Sequence, residues 1–154
     1  MDKALYNAEK FTRDDIRAVD AKFEAQKIAF APHAFQAIRA MIDLNILRTI
    51  ESAGDKGITR AALAEKAGVS EYGVGVLCEM ALGMNVIKLT KDSLSDGSAD
   101  DGKTEKFIIG KIGWMLLEDD LTKANFDFTN DICYMGAYDL GESIRTEKPA
   151  GLKY

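Results

Sequence analysis

The chain has 154 residues, a net charge of −5 and 47% hydrophobic residues, enough for one domain with its own core and too apolar for a chain disordered throughout. Its apolar runs, such as Trp114-Met115-Leu116-Leu117, are too short to span a membrane, and MDKALYNAEKF has no apolar core of a secretory signal. Cys78, Cys133 and the single His33 stand far apart, with no CxxC or HxxxH spacing, so neither a disulfide framework nor a metal site is expected; the reading is a reduced, cytoplasmic protein.

Residues 13–30 read as an amphipathic helix, with Ile16, Val19, Phe23, Gln26 and Phe30 alternating at three and four. The first thirty residues carry six acidic and six basic side chains, so this stripe calls for another helix, from its own domain or from a second copy. Ala31-Pro32 is expected to break that helix and start another over 33–52, apolar nearly all round and therefore central. His33 falls in its first turn, a packing or surface position, and Gly54 and Gly57 close it.

Thr59 is placed to cap a helix over 60–66, Gly68 to make a turn, and Ser70 to cap a second helix with Val74, Leu77, Cys78, Ala81 and Leu82 apolar. Two short helices across a glycine turn are a helix-turn-helix. Val86–Thr90 alternates as a strand, residues 91–103 read as a polar hairpin loop, and Lys106–Ile109 as the returning strand. The fold class is therefore mainly α: a winged helix-turn-helix with a two-stranded wing and flanking long helices. Lys88, Lys91, Lys103 and Lys106 read as protection of the strand edges. Residues 110–118 read as a short buried helix, and 121–145 as a longer one with two apolar faces, ended by Lys148-Pro149-Ala150-Gly151.

A winged helix suggests DNA binding, and the charges argue against it. Residues 58–87 hold two basic side chains (Arg60, Lys66) against three acidic ones (Glu65, Glu71, Glu79), and 88–106 hold four against five. A duplex-binding surface needs the opposite balance. The Gly73-Val74-Gly75 run has no preceding strand and is no nucleotide loop, and no GxxxxGK[ST] or GxSxG motif occurs. The pairs Asp14-Asp15, Asp100-Asp101 and Asp119-Asp120 read as helix-start charges or solvated loop, because adjacent residues on a helix do not face each other. Cys78 and Cys133, among apolar neighbours with no cation beside them in sequence, read as inert thiols. Tyr72 reads as a surface or packing residue.

The run LAEKAGVSEYGVGVLCEMALGMNVI (Leu63–Ile87) and the run FIIGKIGWMLLEDDLTKANFDFTNDICYMGAYDLGESIRTEKPAGLK (Phe107–Lys153) resemble the N-terminal dimerisation domain of S-adenosylmethionine-dependent O-methyltransferases, over about residues 30–153. The ND-CY-G, ESIR and KPAGLK segments are the more telling part. The chain divides into a helical arm (1–30) whose stripe is suited to dimer contacts, a winged-helix core (31–118), and a C-terminal helix and linker (119–154); the resemblance implies that such a domain mediates an intertwined homodimer, forms part of the lid over the substrate, and is followed by a separate Rossmann-like domain that binds the methyl donor and holds the catalytic residues. On that reading the chain is a fragment of a larger enzyme, a homodimer that covers a small aromatic or other organic acceptor. It holds no catalytic residue, metal or cofactor itself, with S-adenosylmethionine belonging to the full-length enzyme. Phe126, Phe128, Asn130, Tyr134 and Tyr138 are the expected acceptor-lining residues. Ile16, Val19, Phe23, Phe30, Cys133, Ala137, Leu140 and Ile144 are the expected dimer contacts. A winged-helix transcription regulator and a stand-alone protein-interaction module are the alternatives.

Overall fold

A computed structural model describes residues 12–94 and 105–151. Most of the 91–103 loop, with Asp100-Asp101 and Lys103, lies outside the described residues. The chain divides into two compact units, residues 1–36 and 37–154.

In the first unit, α1 (Ala18–Asp43) starts later than the stripe suggests, so Ile16 precedes the helix. It also runs through Pro32, where a break was expected. Proline removes one backbone N–H and crowds the carbonyl four residues back, at about 3 kcal/mol. The surrounding AKFEAQKIAFAPHAFQAIRAM is rich in strong helix formers, and the helix continues across the defect. Arg17 pairs with Asp20 at 2.6 Å and Lys27 with Glu24 at 2.7 Å, while the Lys27 ammonium sits 4.8 Å from the Phe23 ring centroid. His33 is mid-helix and exposed, edge-on to Phe30 with ring centroids 6.1 Å apart.

In the second unit α1 ends at Asp43, and Asn45, at φ 57°, takes the left-handed conformation that asparagine tolerates. The expected 33–52 helix is thus two pieces, the end of α1 and α2 (Ile46–Ser52). Its centrality holds: Met41, Ile46, Leu47 and Ile50 have no exposure. After Gly57 come β1 (Ile58–Thr59) and α3 (Arg60–Ala67), capped by the Thr59 hydroxyl accepting from the Ala62 N–H at 3.3 Å. Gly68 turns the chain at φ 67°, ψ 30°, a geometry that costs glycine nothing. Then α4 (Glu71–Gly83) starts on Ser70, whose hydroxyl accepts from the Gly73 N–H at 3.0 Å.

β2 (Ile87–Leu89) and β3 (Lys106–Ile109) pair antiparallel, with Lys88 opposite Ile108. The sheet has three strands, not the expected two, because β1 adds to β3 through Ile58–Phe107 and Thr59–Lys106. Two residues are too short a run to show alternation, so β1 left no signal. β3 is therefore central, and Lys106 cannot guard an edge; exposed Lys88, on outer strand β2, donates to the Asn85 side-chain carbonyl. The core joins Ile38, Met41, Ile46, Leu47, Ile50, Leu63, Val74, Cys78, Ala81, Ile87 and Phe107.

α5 (Lys111–Glu118) packs by one edge only. Gly113 and Leu117 are buried, whereas Ile112, Trp114 and Met115 are about half exposed, against the expectation of a buried helix. Gly113 is where the sheet comes closest: a Cβ there would lie 2.4 Å from the Val86 carbonyl oxygen.

Candidate functional site

The segment after α5 is built unlike the core. Asp119 caps α6 (Asp120–Phe128), its carboxylate accepting from the Thr122 N–H at 2.8 Å. A hydrogen bond from the Thr122 side chain, and then this one from its backbone N–H, hold the Asp119 carboxyl below its usual range. The single helix expected over 121–145 is interrupted. A π turn, Thr129–Cys133, is succeeded by α7 (Tyr134–Gly136), a 3₁₀ turn (Ala137–Asp139) and α8 (Leu140–Thr146). A π turn adds a residue to the ladder and rotates the helix beyond it, so an apolar pattern read at constant helical pitch misassigns faces past residue 128.

From Asp119 to Gly151 no described residue is buried, although the segment carries Leu121, Phe128, Ile132, Met135, Leu140 and Ile144, all more than half exposed. The arm is tied to the core by Phe126, which packs partly buried against it, and by charge. Arg39 on α1 donates to Asp127 at 2.6 Å and to Asp43 at 3.1 Å, and these two carboxylates raise its pKa. At the foot of the arm Arg48 on α2 pairs with Glu118, whose hydrogen bond raises the Arg48 pKa in turn.

Glu147, at φ 55°, ends α8, and the chain doubles back. The Ala150 N–H donates to the Ser143 hydroxyl at 3.0 Å, and Gly151 settles on the backbone of Gly136. Between this strap and the arm lies an open groove of about 310 Å³. It is lined by Phe128 and Ile132 before and in the π turn, by Cys133, Gly136, Ala137, Leu140 and Ser143 after them, and by Pro149, Ala150 and Gly151 of the strap. Its lining holds no charged side chain. It can take an apolar body and offers nothing to bind a phosphate or a metal, and no group of His, Cys, Asp and Glu able to hold a metal ion occurs among the described residues.

The groove mixes residues that the sequence assigned to two roles. Phe128, read as acceptor-lining, meets Cys133, Ala137 and Leu140, read as dimer contacts. The other candidates scatter. Phe126 turns to the core, Asn130 is half-buried with its amide donating to Asp131 at 2.8 Å, Tyr134 is half-buried, and Tyr138 is almost fully exposed. Ile144 is exposed on α8, and in the first unit Ile16, Val19, Phe23 and Phe30 are each about half exposed or more. The strap's part in the groove was missed; its signal was the Pro149-Ala150-Gly151 run, read as a helix stop and as part of the KPAGLK segment of the resemblance.

Neither cysteine is paired in a disulfide. Cys78 is buried in the core, and burial pushes its thiol up to about 12. Arg60, distant in sequence, comes close enough to pull the other way, a cation the sequence reading did not anticipate, and burial outweighs it. Arg60 also lies across Gly75, where a Cβ would meet its guanidinium at 3.2 Å; the second glycine of the GxG run makes room for that side chain. The outward face of α4, where a helix-turn-helix would meet DNA, shows Glu71, Tyr72, Val76 and Glu79, and the helix has no Lys or Arg. No described helix is long and apolar enough to cross a membrane.

Residues 22–94 match the Dimerisation2-like domain. Two crystal structures share the fold. The S-adenosylmethionine-dependent methyltransferase SibL, in its apo form, aligns over 81% of this chain and 33% of its own, at 20% identity and a TM-score of 0.62. Human N-acetylserotonin methyltransferase, in complex with S-adenosylmethionine, aligns over 86% of this chain and 36% of its own, at 14% identity and a TM-score of 0.57. The chain thus spans about a third of the length of either protein. No curated protein sequence matches it. The arm and its groove lie beyond the residues that match the domain family.

Proposed function

We propose that this chain, whose residues 22–94 carry a Dimerisation2-like domain, is the dimerising and substrate-covering part of an S-adenosylmethionine-dependent O-methyltransferase, a winged-helix module acting in the cytoplasm as a homodimer. The match over 22–94 is the observation that carries the reading, and the fold shared with two methyltransferases supports it. The acidic face of α4 gives a DNA-binding reading nothing to stand on.

The residues present do not fit the methyl donor. A donor site of the Rossmann type needs a parallel strand leading into a glycine-rich turn and an acidic residue for the ribose. The described strands are three short antiparallel ones, and the groove has no carboxylate for a sulfonium or an amino group. These residues therefore take no chemical step with the donor.

Two sets of exposed apolar residues are assigned the remaining roles. Ile16, Val19, Phe23 and Phe30, with Cys133, Ala137, Leu140 and Ile144, are the dimer contacts of this proposal; a contact between copies related by a two-fold axis uses the same patch on both. Phe128, which lines the groove, is the residue of this proposal offered to a small aromatic or other organic acceptor, with Asn130, Tyr134 and Tyr138 on the turns after it and Phe126 packed on the core; an aromatic ring stacks on such an acceptor and an amide orients a polar group.

Two measurements test this. Reading the source gene past the codon for Tyr154 is expected to show a strand, a glycine-rich turn and an acidic residue; a stop codon overturns the enzyme reading. Sedimentation equilibrium is expected to show a dimer at micromolar concentration, weakened about tenfold or more by Leu140→Asp, since a carboxylate buried at an apolar contact is strongly disfavoured. A monomer at 100-fold higher concentration overturns the dimer.

A further inference from the structure

Two helices leave their carboxylates unpaired. In α1, α2, α5, α6 and α8 every aspartate and glutamate pairs with an arginine or lysine. Glu65 on α3 and Glu71 and Glu79 on α4 are exposed, and none has such a partner among the described residues. Tyr72, Val76, Glu79 and Gly83 follow one another at helical spacing and share one line along α4. Tyr72 is 83% exposed and Val76 49%, so the line sets apolar side chains among free carboxylates. It ends in a glycine that the fold does not require. A Cβ at Gly83 would meet nothing within 4 Å, and its backbone is not left-handed. Glycine weakens a helix, and at this place it keeps the ridge low where another chain can approach.

We propose that this ridge of α4 is a docking surface for a basic amphipathic helix of another protein, which sets apolar side chains against Tyr72 and Val76 and lysines or arginines against Glu71 and Glu79. Charge selects the occupant. A duplex or an anionic membrane meets unpaired carboxylates here and is repelled. A second copy docking by the same face brings glutamate to glutamate and is disfavoured for the same reason. A helix with cations flanking its apolar side chains is favoured on both counts, and its backbone comes closest over Gly83. Tyrosine is among the residue types that anchor such contacts. No residue of α4 lines the groove, so this partner is independent of the acceptor and of methyl transfer.

The test titrates the whole chain with a labelled synthetic peptide of about five helical turns, leucine on one face and lysine on the other. A peptide of the same composition with its leucines scattered is the control. The amphipathic peptide is expected to bind at micromolar concentration and to slow hydrogen exchange over 71–83. Tyr72→Ala is expected to weaken it about tenfold, Glu71→Lys and Glu79→Lys about fivefold each, and Gly83→Ala about threefold with the helix at least as stable. Asp55→Lys makes the same change of net charge at an exposed site elsewhere, and is expected to alter binding by less than about twofold. Circular dichroism checks that each variant is folded. No binding, or equal binding of the scattered peptide, overturns the docking surface. So does an Asp55→Lys effect as large as those on α4, which is attraction to net charge alone. Exchange slowed outside 71–83 places the peptide elsewhere and overturns it too. A dimer that Tyr72→Ala dissociates in sedimentation puts a second copy on this face and overturns the foreign partner. Binding by this chain but not by a longer product of the same reading frame means that the ridge is covered from within, and overturns it as well.

Discussion

Gly151 rests directly on the backbone of Gly136: a Cβ built at 151 would fall 2.1 Å from the Gly136 carbonyl oxygen, far inside contact distance. The strap can close the groove only because neither residue has a side chain at that crossing. Gly151→Ala is therefore expected to lift the strap and release the hydrogen bond from the Ala150 N–H to Ser143. No core residue is involved, so the melting temperature should move by no more than about 2 °C, the scale of a surface change. Proteolysis near Lys148 should become several-fold faster. Unchanged cleavage would show that the crossing does not hold the strap down.

The core was legible in the sequence for a plain reason. Met41, Ile46, Leu47 and Ile50, and the caps Thr59, Gly68 and Ser70, act through local rules of spacing and capping that tertiary context here reinforces. The features that escaped were set by tertiary context or by departures from regular pitch. Proline's local rule at residue 32 was overridden by the helix formers around it; β1 exists only because β3 lies beside it; and the π turn at Thr129–Cys133 shifts the faces of everything after it. The candidate site suffered most, because most of its residues lie in or beyond that turn. A strict helical period would have kept Phe128 apart from Cys133, Ala137 and Leu140, which the groove joins.

The two cysteines should behave as opposites toward a thiol reagent. Cys78 is 1% exposed and its thiol is pushed up to about 12, so at pH 8 it is both covered and protonated. Cys133 is partly exposed in the lining of the groove. Iodoacetamide at pH 8 is expected to label Cys133 within minutes to hours and to leave Cys78 unlabelled until the protein unfolds. Because the folded pKa of Cys78 is raised, the stability it contributes is complete below 9.0, the ordinary thiol value, and drains away between there and about 12. A chain in which both thiols label at one rate would not have this core.

Leu47 and Ile144 are aliphatic residues on helices with opposite fates, at 0% and 70% exposure. Leu47→Ala removes side-chain volume from the packed centre and is expected to cost about 2–5 kcal/mol of unfolding free energy at any protein concentration. Ile144→Ala, measured dilute enough for the monomer to dominate, should cost about 0.5 kcal/mol or less. Denaturant titration of both variants at two concentrations checks the contrast. A cost at Ile144 that grows with concentration supports its place in the dimer contact, and a large cost at both dilutions would mean that the arm is packed more tightly than its exposure allows.

Asp119 gives the arm a pH dependence of definite sign. Its carboxylate is held below the ordinary 3.8 by the hydrogen bonds at Thr122, the first turn of the arm. A carboxyl lowered in the folded state favours the capped arrangement above its unfolded value, and that contribution is lost as the pH falls through the lower, folded one. The arm should therefore be indifferent to pH from neutrality down to about 4 and begin to fray at its foot below 3.8. The Thr122 amide proton, observed by NMR, is the direct reporter: its shift should titrate with a midpoint below 3.8, and Asp119→Asn should abolish that titration while keeping a side-chain oxygen able to cap. A midpoint at or above the ordinary value would mean that the cap does not hold the carboxylate and that the first turn of α6 is secured by other contacts.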